Sequence, residues 1–398
     1  MADHTAQFKS ELSEELENIL KYWKDFSVDE RNGGFVGQRD HYNKEVPGAS
    51  KGIILNTRIL WTFSAVAYHK NEREGELRSL ADRAYGYLKR AFKDDIFGGV
   101  FWEVDAEGNP VNRRKQIYAQ AFAIYALSEY YLLSEVGEAR DFALELFNLI
   151  EKHAREREFN GYLEAFQDDW SPIEDMRLSE KDRNSAKTMN THLHVLEAYT
   201  TLYKITKAEA VKEALDNLIE LFLEKFYDPE QQHFQLFFDN QWNPEGKVVS
   251  FGHDIEAIWL MIEAAKASGE ESLIRKTEDI AVPIAKTFLQ EAYVPGKGVI
   301  NDKDLDSGAT DTDRHWWPQA EAMVGLEYAY QISGEEKFRD ALYDIWKFTR
   351  ENIIDHENGE WFFRIDENYR PYKQEDKLGM WKCPYHNSRA CMVLTNKA

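Results

Sequence analysis

Ile96-Phe-Gly-Gly-Val-Phe-Trp102 is the stretch on which the fold turns. Its adjacent glycines supply a tight turn, and the aromatics after them suit a short β-hairpin. The pattern comes back along the chain. Arg31-Asn-Gly-Gly-Phe-Val-Gly37 precedes it. Phe159-Asn-Gly-Tyr162, His233-Phe-Gln-Leu-Phe-Phe238, Gly296-Lys-Gly-Val-Ile300 and Asn358-Gly-Glu-Trp-Phe-Phe363 follow, the fourth without glycine. The turns sit near 34, 98, 161, 233, 297 and 360, a period of about 62–72 residues.

Around these turns, apolar residues recur at helical spacing in paired runs. Leu12, Leu16, Ile19, Leu20 and Trp23 mark the first run, residues 8–26. Further runs lie at about 54–70, 73–93, 116–134, 137–154, 189–206, 208–226, 252–268, 270–291, 315–333 and 335–353, and a last one starts near His386. Each unit reads as a helix, an aromatic hairpin and a second helix. Six units give twelve helices, and the first and last runs complete a pair. This predicts an all-α (α/α)6 barrel. Loops of two to six residues are expected between the outer helix of each pair and its neighbours. An open solenoid would need polar caps instead. With no linker or composition shift, residues 1–398 are expected to form one domain. Two separate helical domains are the alternative.

The chain of 398 residues is 43% hydrophobic and 14% aromatic, enough for a sizeable core and incompatible with disorder. A net charge of −22 argues against nucleic acid and anionic membrane surfaces as partners. Cys383 and Cys391 form no disulfide framework. The start, Met-Ala-Asp-His-Thr-Ala-Gln, has no apolar leader, and no stretch of about 20 apolar residues follows. A reducing, cytoplasmic location is expected.

Closure of the barrel would bring the starts of the inner helices to one end. Arg58, Tyr118, Asn190, His194, His253, Glu256, Trp316, Glu321 and His386 all fall there. In Ser250-Phe-Gly-His-Asp-Ile-Glu-Ala257, His253 and Glu256 share a helical face. Trp381-Lys-Cys-Pro-Tyr-His-Asn-Ser-Arg389 puts His386 at the start of the final helix. In Asn190-Thr-His-Leu-His-Val-Leu-Glu197, Asn190 and His194 share a face that His192 does not. His194 is therefore the functional candidate.

Imidazoles suit proton transfer near neutral pH. Two of them on opposite faces of a carbon could invert a C–H centre. Glu256 is expected to orient His253, as a carboxylate does in a triad. Arg58 stands in an apolar stretch and needs a partner. A developing enediolate oxygen would serve, and so would Glu321. Trp316 and Trp381 add flat apolar surfaces of the kind sugar sites use. There is no HExxH, and His192 and His194 face apart, so no metal is expected. Asp254, Asp311 and Asp313 could supply a hydrolase's acid and base, or simply cap helices and loops.

The chain resembles the cellobiose 2-epimerase family, within the N-acylglucosamine 2-epimerase superfamily, nearly end to end. Carrying stretches include Lys51-Gly-Ile-Ile-Leu-Asn-Thr-Arg-Ile-Leu-Trp61, Tyr118-Ala-Gln-Ala-Phe-Ala-Ile-Tyr-Ala-Leu-Ser-Glu129, Met189–Tyr199 and Ser250–Ala257. Asp313-Arg-His-Trp-Trp-Pro-Gln-Ala-Glu-Ala322 and Trp381–Cys391 complete the set. The resemblance implies an (α/α)6 barrel with His253 and His386 as the acid/base pair and His194 as a third essential histidine. Arg58 and Glu256 are expected to assist catalysis. Tyr118, Asn190, Trp316, Trp381 and Glu321 are expected to bind substrate. The implied reaction is C2 epimerisation of the reducing-end glucose of β-1,4-linked disaccharides through a cis-enediolate. The enzyme is expected to act as a monomer on a neutral sugar, without cofactor or metal. A mannose/glucose aldose–ketose isomerase, an N-acylglucosamine 2-epimerase, a two-carboxylate glycoside hydrolase and a non-catalytic carbohydrate-binding toroid are the rivals.

Overall fold

The computed structural model describes residues 2–397, so Met1 and Ala398 lie outside it. Among the described residues, twelve helices form two concentric rings. They are α1 (Ala2–Ser27), α2 (Ile53–His69), α3 (Glu76–Tyr87), α4 (Ile117–Ser134), α5 (Gly137–His153) and α6 (Met189–Thr206). Then come α7 (Glu209–Leu221), α8 (Phe251–Ser268), α9 (Glu271–Glu291), α10 (Trp316–Ser333), α11 (Glu336–Asn352) and α12 (Tyr385–Lys397). A single π-helical turn extends α3 through Phe92, and another extends α7 through Phe226.

The even-numbered helices touch in sequence, and α12 returns to α2, so the inner ring is closed. Each of α3, α5, α7, α9 and α11 packs on the inner helix before it, while α1 packs on α12. This is an (α/α)6 barrel. The ring position of each helix follows from its sequence. In α2 every residue from Ile53 to Ala67 is buried, as an apolar surface on all sides demands. In α11 the buried set Phe338, Ala341, Leu342, Ile345, Trp346, Phe348 and Thr349 makes one stripe.

The expected short loops occur at one end only. They join each inner helix to the outer helix after it, as Glu135–Val136 join α4 to α5. At the other end the connections are long; residues 154–188 separate α5 from α6. All six predicted turns lie in these long connections as antiparallel hairpins. They pair Val28 with Phe35, Lys93 with Val100, Arg155 with Tyr162, Tyr227 with Phe234, Tyr293 with Val299 and Ile354 with Trp361. In the glycine-free fourth turn, Gln232 takes the left-handed conformation at φ 60°. Its side chain accepts from Tyr227 Oη at 2.7 Å and donates to the Pro229 carbonyl at 2.7 Å, which holds the strained backbone.

The fourth residue of four inner helices locks a hairpin onto its helix. Gln120 accepts from the Val100 amide at 2.8 Å, Asp254 from Phe234 at 2.9 Å and Gln319 from Val299 at 2.8 Å. His192 does the same job, its Nε2 accepting from the Tyr162 amide at 2.9 Å. Asp254 also pairs with His233 Nδ1 at 2.7 Å. Thus His192 and Asp254 are building residues, and the hairpin end of the barrel is pinned where the inner helices begin.

Candidate active site

The second and sixth residues of a helix are four apart and share a face. In the inner ring many of these residues meet at the hairpin end. Second residues of α4, α6, α10 and α12 are Tyr118, Asn190, Trp317 and His386. Sixth residues of α2, α6, α8 and α10 are Arg58, His194, Glu256 and Glu321. In α8 the second residue is Gly252, and His253 comes third. A Cβ on Gly252 would stand 2.4 Å from Cη2 of Trp317. Glycine there lets the indole lie over the start of α8.

Arg58, Tyr118, Asn190, His194, His253, Glu256, Trp316, Trp317, Phe363, Trp381 and His386 line one cavity of about 170 Å³. A second cavity of about 460 Å³ shares Asn190 and His253 with it and extends under the 176–188 and 245–250 loops. Trp317 is the wall between two histidines. Its ring centroid is 4.8 Å from that of His253 and 5.6 Å from that of His386. The sum, 10.4 Å, is the upper limit on the separation of the two imidazoles.

Three expectations are corrected by these contacts. Glu256 does not orient His253. Its Oε1 accepts from Arg389 Nη2 at 2.7 Å, and His253 Nδ1 instead meets Ser250 Oγ at 2.7 Å. Glu321 does not line the cavity. Fully buried, it places Oε1 2.6 Å from His386 Nδ1 and accepts from Trp259 Nε1 at 3.1 Å. Arg58 does not pair with Glu321 either. It donates to Tyr118 Oη at 2.8 Å and to Cys383 Sγ at 3.4 Å, under the Phe122 ring. Among the described residues no carboxylate oxygen lies within 4.0 Å of it, and its Nε has no hydrogen-bond partner.

Arg389 is the electrostatic centre. It contacts Glu197 through Nη1, and through Nη2 it donates to Glu256 and Glu321 at 2.7 Å each. Burial alone would raise all three carboxyls. For Glu321, Arg389 and His386 overcome burial and hold the carboxylate ionised. Arg389 and His194 do the same for Glu197. At Glu256 burial prevails, reinforced by the charge on Glu321, and its pKa is well above the usual carboxylate range. Two cations, Arg58 and Arg389, then face two anions and one neutral acid, which suits an uncharged ligand.

The imidazoles are neutral for the same reason. Burial holds His253 and His386 down to about 3 and lowers His194. With ionised Glu321 accepting from its Nδ1–H, His386 keeps Nε2 as its basic atom. His194 is arranged alike, its Nδ1 3.0 Å from Glu197 Oε2. His253 differs in having a neutral hydroxyl as its partner.

Comparison with known proteins fits this geometry. The model of the N-acylglucosamine 2-epimerase (GlcNAc 2-epimerase) family matches residues 33–390. The chain belongs to the N-acylglucosamine 2-epimerase family. It is an enzyme of the carbohydrate epimerase class. A cellobiose 2-epimerase of Bacteroides fragilis is 45% identical over 97% of this chain and 98% of its own. That of Dictyoglomus turgidum is 40% identical over 98% of each chain. The solved cellobiose 2-epimerase from Bacillus thermoamylovorans is 38% identical and superposes with a TM-score of 0.94, covering 99% of this chain and 100% of that one.

Within this family member, Trp317, Glu197, Ser250 and Arg389 are the site residues that sequence reasoning did not assign. The signal for Trp317 was its register: it is the second residue of its helix, like Tyr118, Asn190 and His386. Glu197 and Arg389 each stand three residues after a candidate histidine. Donor atoms of Glu256, Glu321 and His386 come within 4.8 Å of one another, as a metal site would require. The cation already bonded to both carboxylates is the Arg389 guanidinium. Among the described residues, Asp311, Asp313 and His315 form the other such group, away from the cavity lining.

Proposed function

We propose that the enzyme interconverts the C2 epimers of the reducing-end glucose in β-1,4-linked disaccharides, turning cellobiose into glucosyl-mannose and lactose into epilactose. The observation that carries this reading is the placement of His253 and His386 against the same indole, Trp317, beside one cavity. The close relatives described above are cellobiose 2-epimerases, which supports the disaccharide over a monosaccharide. The adjoining cavity offers room for the second sugar.

The ring opens to the aldehyde, which acidifies C2–H. One imidazole takes that proton. The C–H electron pair becomes the C1=C2 bond of a cis-enediolate, and negative charge collects on oxygen. Arg58, lacking a carboxylate partner, faces that charge. The enediolate raises the proton affinity of both imidazoles above its value in the empty cavity. After rotation about C2–C3 the other imidazole, which has taken up a proton from solvent beside the enediolate, delivers it to the opposite face of C2, and the first imidazole releases its proton to solvent. His194 holds a sugar oxygen through Nε2, with Tyr118 and Asn190. Trp317 and Trp381 stack on the rings. The reaction is redox-neutral, so no electron carrier is required. Every residue that lines this cavity comes from the one chain, so a monomer suffices.

Proton NMR of cellobiose in deuterated water tests the reading. Glucosyl-mannose is the expected product. A ketose as the sole product would make the enzyme an aldose–ketose isomerase, and free glucose would make it a hydrolase.

A further inference from the structure

Three carboxylates converge on one guanidinium at the base of the cavity. Glu197 reaches Arg389 from α6, Glu256 from α8 and Glu321 from α10. Among the described residues, the other neighbours supply no further cation in contact. His386 Nδ1 stands 3.9 Å from Glu256 Oε1 but is bonded to Glu321. Tyr118 and Tyr385 are neutral phenols, and Arg58 is engaged with Tyr118 and Cys383. Three buried anions around a single cation would leave two negative charges uncompensated, which favours a proton on the carboxyl with the least support. Glu321 and Glu197 each have a histidine and the arginine as partners. Glu256 has only a share of Arg389, through Oε1. Its other oxygen, Oε2, is buried and has no hydrogen-bond partner among the described residues, and the residue lines the cavity.

We infer that Glu256 works as a neutral carboxylic acid, donating Oε2–H to an oxygen of the opened sugar at C1–C2. The inference rests on the epimerase reading above for the identity of that oxygen. The proton is not transferred. The hydrogen bond strengthens as the carbonyl oxygen becomes the enediolate oxygen, so it stabilises the transition state more than the bound sugar. A carboxyl kept neutral by an apolar or like-charged setting can serve such a site where an anion would repel the developing charge. The upward push on Glu256 from burial and from Glu321 agrees.

Glutamine separates the two protonation states, because it keeps the shape, the neutrality and an N–H donor. Glu256→Gln should retain kcat/KM to within about tenfold. Glu256→Ala, which removes the donor, should lose about 10²–10³-fold in kcat. A folded Glu256→Gln enzyme as inactive as Glu256→Ala would overturn the inference, since an ionised carboxylate would then be what the site needs. Infrared difference spectra at neutral pH give a readout free of activity. Wild type minus Glu256→Gln should show a protonated-carboxyl C=O band, and a carboxylate band in its place overturns the proposal. Should Glu256→Gln not fold, Glu256→Asp serves, by shifting the same band. If the wild type forms no epimer from cellobiose, the function reading fails while the infrared result still decides the protonation state.

Discussion

Nδ1 of His386 lies 2.6 Å from Oε1 of Glu321, and both groups are buried. An imidazole that donates to an ionised carboxylate gains most when it becomes imidazolium, so Glu321 makes His386 a stronger base without touching substrate. Glu321→Gln keeps the shape and removes the charge. It should lower kcat by about 10²-fold or more with KM nearly unchanged. Ser250→Ala, which removes only a neutral partner from His253, should cost about tenfold or less. Steady-state kinetics of the two variants would contradict this asymmetry if Ser250→Ala proved the more damaging.

The adjacent tryptophans of α10 should separate binding from folding. Trp316 is 3% exposed, and Phe363, His386 and Lys382 pack around it. Trp316→Ala should cost about 3–5 kcal/mol of stability. Trp317 is partly exposed and touches both catalytic candidates. Trp317→Ala should raise KM about tenfold or more while unfolding nearly as wild type does. Gly252→Ala should imitate it, because the new methyl displaces the indole. Denaturant melts and saturation curves of the three variants check this, and a folded Trp317→Ala enzyme with an unchanged KM would refute it.

The fold was legible because its signal is repeated. Helix bounds predicted from apolar spacing differ from the structure by a few residues, and all six turns are hairpins. The cup was legible for the same reason, since helix starts converge once the ring closes. Partner choice within the cup was not legible. His253 and Glu256 are three apart, and so are His194 and Glu197, yet only the second pair is hydrogen-bonded. Spacing gives a shared face. Which groups bond across the axis depends on how six helices bring Arg389, Glu256 and Glu321 together from residues up to 133 positions apart. Trp316 and Trp317 both line the cavity, and how a tryptophan pair divides between core and cavity cannot be read from helical register alone.

Stability should be flat between about pH 4.5 and 6.5 and fall on either side. Burial holds His192, His253 and His386 down to about 3. The unfolded chain therefore binds more protons below about 6.5, and these groups cost stability as pH falls from there to 3. Burial also raises Glu15 and Glu129 to about 7 and Glu164 to about 8, three groups against three. Their stability is present below about 4.5 and is lost as pH rises through 7 to 8. The two trends oppose each other between 4.5 and 6.5. His192→Gln removes one of the acid-sensitive groups. Glutamine already does the same job at Gln120 and Gln319, so the variant should fold, keep activity and lose about 1.4 kcal/mol per pH unit of acid-side slope. Urea melts across pH test this; an acid limb unaltered in His192→Gln would show that this histidine does not contribute.

The last prediction separates two bases from one. His253 and His386 differ in support, one held by Ser250 and the other by Glu321, but both neighbour the Trp317 ring. If each serves one face of C2, replacing either with alanine should lower epimerisation by at least about 10²-fold, the lower end for general acid–base catalysis. The surviving imidazole can still remove and return the proton on its own face. Each variant should therefore exchange the C2 proton of one epimer with deuterated water, without inversion. His253→Ala and His386→Ala should exchange different epimers, glucosyl-glucose in one case and glucosyl-mannose in the other. Wild type should exchange both while interconverting them. A variant set in which both enzymes exchange the same epimer would leave a single base serving both faces. Full epimerase activity in both would remove the two histidines from the chemistry altogether, and NMR of the C2 signal distinguishes these outcomes in one experiment.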